Sequence, residues 1–346
     1  MRGAPRSRAP TRREPVGDVR VSDELRRFAS ALCERTLDLA ELCDRLGYRR
    51  YWLAEHHSTK GLAGSSPEVL IGQVAARTSR IRVGSGGVML QHYSSLKVAE
   101  SFRVLETLFP GRIDLGVGRA PGSDGLTAQA LRDDGTPERF PQQVADLLGF
   151  LHGALPEGHP FAKVVAMPTG PTAPEVWLLG SSDQSAAMAA HFGAYFSFAH
   201  FINAAGGAEV TRAYRRQFRA SPWCAAPRSS AAVFVVCADT EAEAQRLAKS
   251  RELFIVRLYT GRPDRYPSIA EAEAYPYTDR ELAIRHHARG RTVAGAPEQV
   301  RARLEALAAD YEADELVIVT ITHDPKARRR SYELLAQVFE LEEAGP

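Results

Sequence analysis

The sequence predicts a (β/α)8 barrel, a parallel sheet closed inside a ring of helices. Three observations carry this. Short apolar runs alternate with helix-length segments from about residue 22 to the carboxyl terminus, and such alternation implies parallel strands joined by helical crossovers. No short-period repeat interrupts the pattern. The stretch Ile81–Asp124 holds a whole strand–helix–strand unit. Its Gly-rich loop and Arg119 fall at the carboxyl ends of the two strands, the side where such folds bind ligands.

The bulk properties fit. The chain has 346 residues, 44% hydrophobic and 25% charged, which is ordinary globular composition and suits one α/β barrel. A net charge of +2 provides no strong field toward nucleic acid or a membrane surface. No apolar run reaches the length of a membrane span. Cys33, Cys43, Cys224 and Cys237 form no C-x-x-C pair and read as free thiols of a reducing cytoplasm.

Residues 1–21 read as a basic, disordered tail, with five arginines in the first thirteen positions and no apolar run. Arg12–Arg13 is followed by no apolar h-region, so an export signal is not expected. Residues 22–346 read as a single barrel domain. Ser22 caps a helix running to Leu46, closed by Gly47. Strand Tyr51–Ala54 ends in Glu55–His56–His57. Ser66 as cap and Pro67 in the first turn open the next helix. Strand Ile81–Val83 leads into Gly84, Gly86 and Gly87. A helix over Ser94–Phe109, with Leu96, Ala99, Val104 and Leu108 on its apolar face, stops at Pro110–Gly111. Strand Arg112–Val117 follows, then a helix near Pro141–Leu151 and a loop excursion over 156–174.

Strand Val176–Gly180, a helix opening at Ser181–Ser182–Asp183, strand Tyr195–His200 and helix Gly207–Phe218 come next. Strand Ala232–Cys237 precedes a helix capped by Thr240. Residues 257–280, rich in Arg, Tyr and Pro, read as a lid or insertion. Helix Pro297–Ala309, strand Glu315–Ile321 and helix Pro325–Phe339 complete the chain. Seven strands are thereby counted, one short of a closed barrel. The missing first strand belongs before the helix at 22–46. Only APTRREPVGDVRV stands there, and its prolines and charges suit a doubly buried strand poorly. The first strand is expected to be degenerate or missing, with Val16–Val21 the remaining candidate. An open barrel would expose sheet edges and weaken cofactor binding.

Several residues could carry chemistry. His56 and His57 follow a strand and suit a general base or a polar contact, though loop histidines are also common on surfaces. Gly86–Gly87 allow close approach of a flat group, or simply a turn. Arg119 offers a fork for phosphate oxygens, or a surface ion pair. Gly116–Val117–Gly118–Arg119–Ala120–Pro121–Gly122 departs by one residue from the dinucleotide fingerprint, and Pro121 interrupts the helix start. Ser181, Ser182 and Ser185 surround a helix amino terminus, where an anion or simple capping is satisfied. Asp183 adds a negative charge that backbone and hydroxyl groups would have to offset. His56, His57 and His92 lack metal-ligand spacing, so no metal is expected. His200 and His323–Asp324 are peripheral candidates.

VGSGGVML, the helix after it, and PGRIDLGVGRAPG closely resemble the bacterial-luciferase-like, flavin-dependent monooxygenase family. YRRYWLAEHHS, PEVWLLGSS and ADELVIV extend the resemblance from about Leu37 to the carboxyl terminus. It implies a barrel of the luciferase-like type. It also implies that His56 assists flavin oxygen chemistry, and that a cis Gly86–Gly87 peptide lies beneath the flavin ring. Arg119 with the Ser181–Ser185 loop would hold the flavin phosphate. The implied activity is oxygenation of a small organic substrate with reduced FMN and O2, the flavin coming from a separate reductase because no NAD(P)H-binding module is visible. F420-dependent hydride transfer is the alternative within the fold, and a non-catalytic flavin-binding or partner subunit the alternative outside enzymology. A cytoplasmic homodimer without nucleic-acid or membrane partners is expected.

Overall fold

The computed structural model describes residues 23–59, 64–120, 122–131 and 137–342. The first half contains α1 (Asp23–Arg45), β1 (Arg50–Leu53), α2 (Pro67–Arg77), β2 (Arg82–Met89), α3 (Ser95–Leu108), β3 (Ile113–Gly118), α4 (Gly125–Leu131) and α5 (Phe140–His152). Then come β4 (Glu175–Gly180), α6 (Asp183–Phe192), β5 (Tyr195–Phe198), α7 (Gly207–Gln217), β6 (Ser229–Cys237) and α8 (Glu241–Tyr259). The last part holds α9 (Ile269–Ala274), α10 (Asp279–Gly290), β7 (Thr292–Gly295), α11 (Pro297–Tyr311), β8 (Glu315–Val319) and α12 (Pro325–Val338).

Every strand pair is parallel. The sheet runs β1-β2-β3-β4-β5-β6, and β6 then serves two neighbours. Its first part, Ser230–Phe234, pairs with β8, and Phe234–Cys237 pairs with β7. Seven strands therefore curl as the barrel wall, and β7 is an addition beside the carboxyl half of β6. Among the described residues no strand lies between the outer edges of β1 and β8, although Arg50 Nε reaches across to Glu315 Oε2 at 2.7 Å. The expected occupant Val16–Val21, the basic tail and Ser22 lie outside the described residues, as does Pro121.

Four expectations need correction. The glycines after Val83 do not leave the sheet: β2 continues through them to Met89, with a shift of register between Gly86 and Val88. Residues 257–280 are not without regular structure. Ser268 and Thr278 each accept a bond from the backbone three residues on and receive a glutamate in return, and these capping boxes start α9 and α10. The apolar face of α3 is shifted: Val98, Ala99, Phe102 and Leu105 are buried, whereas Val104 is 46% and Leu108 63% exposed. Ser66 precedes α2 but makes no side-chain cap. The four cysteines are free thiols, as expected. Among the described residues no helix is long and apolar enough to cross a membrane.

The barrel floor fixes which end can hold chemistry. Strand alternation and register put Arg50, Arg82, Asp114 and Glu175 together inside the amino end. Asp114, fully buried, accepts from Arg50 Nη1 (2.8 Å), Arg82 Nη2 (2.6 Å) and Trp52 Nε1 (2.9 Å). Trp177, also fully buried, meets the Trp52 ring at 5.3 Å and lies 5.0 Å from the Arg50 guanidinium carbon. These side chains fill the floor at the amino end and leave the carboxyl ends as the mouth.

Outside the barrel, at the amino ends of β4 and β5, a cleft of about 350 Å3 is lined by residues including Arg103, His152, Trp223 and Tyr195. His152 stacks on Trp223 with ring centroids 4.7 Å apart. Burial, aided by the Arg103 charge, pushes the His152 imidazole down to about 4. An unfolded histidine takes its proton near 6.5, so between these values the unfolded chain binds more protons and stability falls as pH falls. Acidifying from pH 7.5 to 5.5 is expected to weaken the fold through this group by about 1.4 kcal/mol. Urea titrations of the parent and His152→Phe at both pH values check this; equal losses in the two proteins would assign the dependence to other groups.

Candidate active site at the barrel mouth

The segment leaving β1 is held by one buried carboxylate. Glu55, 1% exposed, accepts the Met89 N–H (2.9 Å) and the Tyr93 hydroxyl (2.8 Å), and lies 2.7 Å from His57 Nε2. Two backbone bonds complete the clamp: His56 N–H to Gly64 O at 2.8 Å and His57 N–H to Gly122 O at 3.1 Å. Glu55 thus ties β1 to the end of β2. Within the E-H-H triplet it is the glutamate, more than the histidines, that organises the loop. Burial, and then the Glu55 hydrogen bond, raise the Tyr93 phenol, which stays protonated as a donor. Glu55→Gln removes acceptor capacity at constant size. It is expected to lower stability by about 1 kcal/mol, the worth of a typical hydrogen bond, as read from urea midpoints. An unchanged midpoint would mean that these bonds do not restrain the loop.

His56 is half-buried. Burial lowers its affinity for a proton, outweighing a hydrogen bond to the Gly122 backbone that raises it. Near neutral pH it is therefore a neutral imidazole, able to donate at one nitrogen and accept at the other. His57 is committed to Glu55. The buried His92 ring lies 6.4 Å from that of His57, so the three histidines share one corner of the mouth.

Gly86 and Gly87 stand beside this corner, and their peptide is cis, as the resemblance implied. The backbone here leaves no room for a side chain. A Cβ on Gly87 would come 2.7 Å from Leu179 Cδ1 and 2.8 Å from Gly116 O, and one on Gly86 3.0 Å from Trp52 Cβ.

Arg119 and the serine loop, separated by more than sixty positions in sequence, meet at the ends of β3 and β4. Val117 is level with Leu178, which brings Arg119 opposite the Gly180–Ser181 step. Arg119 is exposed, and its Nη1 lies 3.4 Å from Gln184 Oε1 in the first turn of α6, at the limit of a hydrogen bond. The capping role of the serines is realised. Ser185 Oγ donates to Ser182 O at 2.7 Å, and the Ser182 and Ser185 N–H groups reach each other's hydroxyls at 3.4 Å. Those two 3.4 Å bonds are long enough to yield to a better acceptor. Gly180 lets the helix start this close, since a Cβ there would lie 2.2 Å from Ser185 Oγ.

The peripheral histidines are placed differently. His200 Nδ1 lies 2.8 Å from Tyr311 Oη, and Asp324 caps α12 by accepting the Lys326 N–H at 2.9 Å. The residues gathered at the mouth are thus His56, Gly86–Gly87, Arg119 and the Ser181–Ser185 loop. Together they offer an imidazole, a side-chain-free surface, a guanidinium and a helix amino terminus, which is a donor set suited to a flat group with an anionic tail.

The sequence profile described as luciferase-like monooxygenase matches residues 25–313. YwcH of Bacillus subtilis is 47% identical over 90% of this chain and 94% of its own length. The N-acetyl-S-alkylcysteine monooxygenase of the same organism is 40% identical over 89% and 92%. Among solved structures, apo-MsnO8 superposes with a TM-score of 0.83 at 39% identity, covering 91% of this chain and 94% of that one. The fold is also shared with the oxygenating constituent of 3,6-diketocamphane monooxygenase of Pseudomonas putida in complex with FMN (TM-score 0.64, 20% identity, 92% and 93% coverage). An F420-dependent secondary alcohol dehydrogenase shares it as well (TM-score 0.64, 10% identity, 90% and 96% coverage).

Proposed function

The chain belongs to the luciferase-like monooxygenase family, and on that premise we propose that it oxygenates a small organic substrate with reduced FMN and O2, the flavin being delivered by a separate reductase. The observation that carries the reading is the meeting of Arg119 with the amino terminus of α6, on the same side of the mouth as His56 and the cis Gly86–Gly87 peptide. Arg119 and the Ser182–Ser185 turn would hold the phosphate, and Gly86–Gly87 would give the isoalloxazine ring a surface without side chains. Reduced FMN, when bound, supplies the two electrons that allow one atom of O2 to enter an organic substrate.

The protein's part is binding, orientation and proton handling. Neutral His56 can donate a hydrogen bond to a developing oxyanion and accept a proton from a neighbouring hydroxyl. Glu55 keeps the loop carrying it in one place through His57, Tyr93 and the Met89 amide. The filled floor around Trp52 and Trp177 leaves the carboxyl ends of the strands as the side from which reactants would enter.

Anaerobic titration of the purified protein with reduced FMN, followed by addition of O2 and a set of thioether and ketone substrates, tests the reading. Flavin binding with substrate-dependent oxygen uptake is expected. Binding and reduction of F420 without oxygen uptake would replace it with hydride transfer, and binding of neither cofactor would remove the enzymatic reading.

A further inference from the structure

The other side of the mouth carries two buried arginines, and no carboxylate of the described residues forms an ion pair with either. Alternation along β6 turns Phe234 to the lumen, because Val233, Val235 and Cys237 pack outward with Val300, Leu304, Leu334 and Leu335. Phe234 is level with Val319 at the carboxyl end of β8, and Phe201, just beyond β5, meets its ring at 5.0 Å. Helix α8 crosses above and places the Arg251 guanidinium carbon 3.8 Å from the centre of the Phe234 ring.

Arg251 is 3% exposed, and its hydrogen bonding is one-sided. Nη1 donates to Thr292 Oγ1 at 2.7 Å and to Ala288 O at 3.3 Å, while Nε and Nη2 are buried without a partner. The Nε–Nη2 edge is a fork that a carboxylate engages with two parallel bonds. Arg291, 4% exposed, is fixed in a similar way. Nη1 donates to Ile202 O, both Nη atoms lie 3.4–3.5 Å from Tyr259 Oη, and Nε is left over.

The two cations also repel. Burial pushes Arg251 down to about 10, and the charge of Arg291 acts in the same direction, only partly offset by Glu252. The nearby acids are already engaged. Glu252 takes Arg285 at 2.5 Å and Arg289 at 2.8 Å, and Glu281 takes Arg262. Guanidiniums buried together without an ion-pair partner are costly, and a bound anion reduces that cost.

We propose that Arg251 and Arg291 receive the carboxylate of an acidic substrate, so that its oxidisable part extends across the mouth toward His56. This rests on reading the mouth as the oxygenation site. It assigns the substrate class by charge, and it gives α8–α10 the task of covering a ligand.

Calorimetric titration of the full chain with benzoate and with benzamide, which differ chiefly in charge, tests it. Benzoate is expected to bind at least about 10-fold more tightly than benzamide, and Arg251→Lys, which keeps the charge but loses the fork, should weaken benzoate about 10–100-fold. FMN affinity and far-UV circular dichroism of the variant should match the parent; if Arg251→Lys does not fold, Arg291→Lys gives the same readout. Equal binding of the two probes, no benzoate binding, or benzoate affinity unchanged in the variant overturns the proposal. Displacement of benzoate by equimolar inorganic phosphate would also overturn it, by showing a general anion site. Arginine-dependent benzoate binding in a protein that takes up no flavin would instead remove the monooxygenase reading and leave the carboxylate site standing.

Discussion

His56→Ala is expected to fold as the parent does and to lose about 10²–10⁴-fold in oxygenation rate, the usual worth of a positioned acid–base group. The imidazole is half-buried and held neutral by its surroundings, so it can exchange a proton without first losing one. The substitution gives up the ring's hydrogen bond to the Gly122 backbone, but the backbone bonds to Gly64 and Gly122 and the Glu55 carboxylate still hold the loop. His57→Ala should cost less in rate, since that ring is occupied with Glu55 at 2.7 Å. Single-turnover oxygenation with preformed reduced flavin separates chemistry from cofactor binding. A larger rate loss for His57→Ala than for His56→Ala would exchange the roles of the two histidines.

The barrel was legible in the sequence because each strand–helix step carries its own local signal. Pro67 begins α2, Gly47 ends α1 and Thr240 caps α8, and these depend on nothing distant. The parts that escaped depend on tertiary context. Thr292–Gly295 is a four-residue strand whose partner is the far half of β6, and four small residues bear no period. The run Gly84–Gly87 suggested a loop because glycine is poor in strands, yet here neighbouring backbone and side chains leave no space for a Cβ. The capping boxes at Ser268 and Thr278 were readable as S-x-x-E and T-x-x-E, but the surrounding Arg, Tyr and Pro residues masked them. At the site, His56, Arg119 and the serines stood out by residue type. Glu55 did not, since a glutamate after a strand is unremarkable until its three partners converge on it. Arg251 and Arg291 belong to segments whose position over the mouth is set by the fold alone.

Arg119→Ala is expected to weaken FMN about 10–100-fold while leaving riboflavin almost unchanged, because a charge-assisted hydrogen bond is worth roughly 1.5–3 kcal/mol and riboflavin lacks the phosphate. The side chain is available for this. It is exposed, and its link to Gln184 at 3.4 Å is weak enough to be given up. On this proposal the amino terminus of α6 would supply the second half of the anion site, with the Ser182 and Ser185 amides held by bonds of the same length. Asp183 stands in the same turn and accepts the Gln184 N–H at 2.8 Å, which directs part of its charge to the backbone. Asp183→Asn should therefore strengthen FMN slightly, opposite in sign to Arg119→Ala. Fluorescence titrations with FMN and riboflavin on the three proteins measure all the terms. Equal losses for both ligands in Arg119→Ala would place the arginine against the ring system and move the phosphate elsewhere in the mouth.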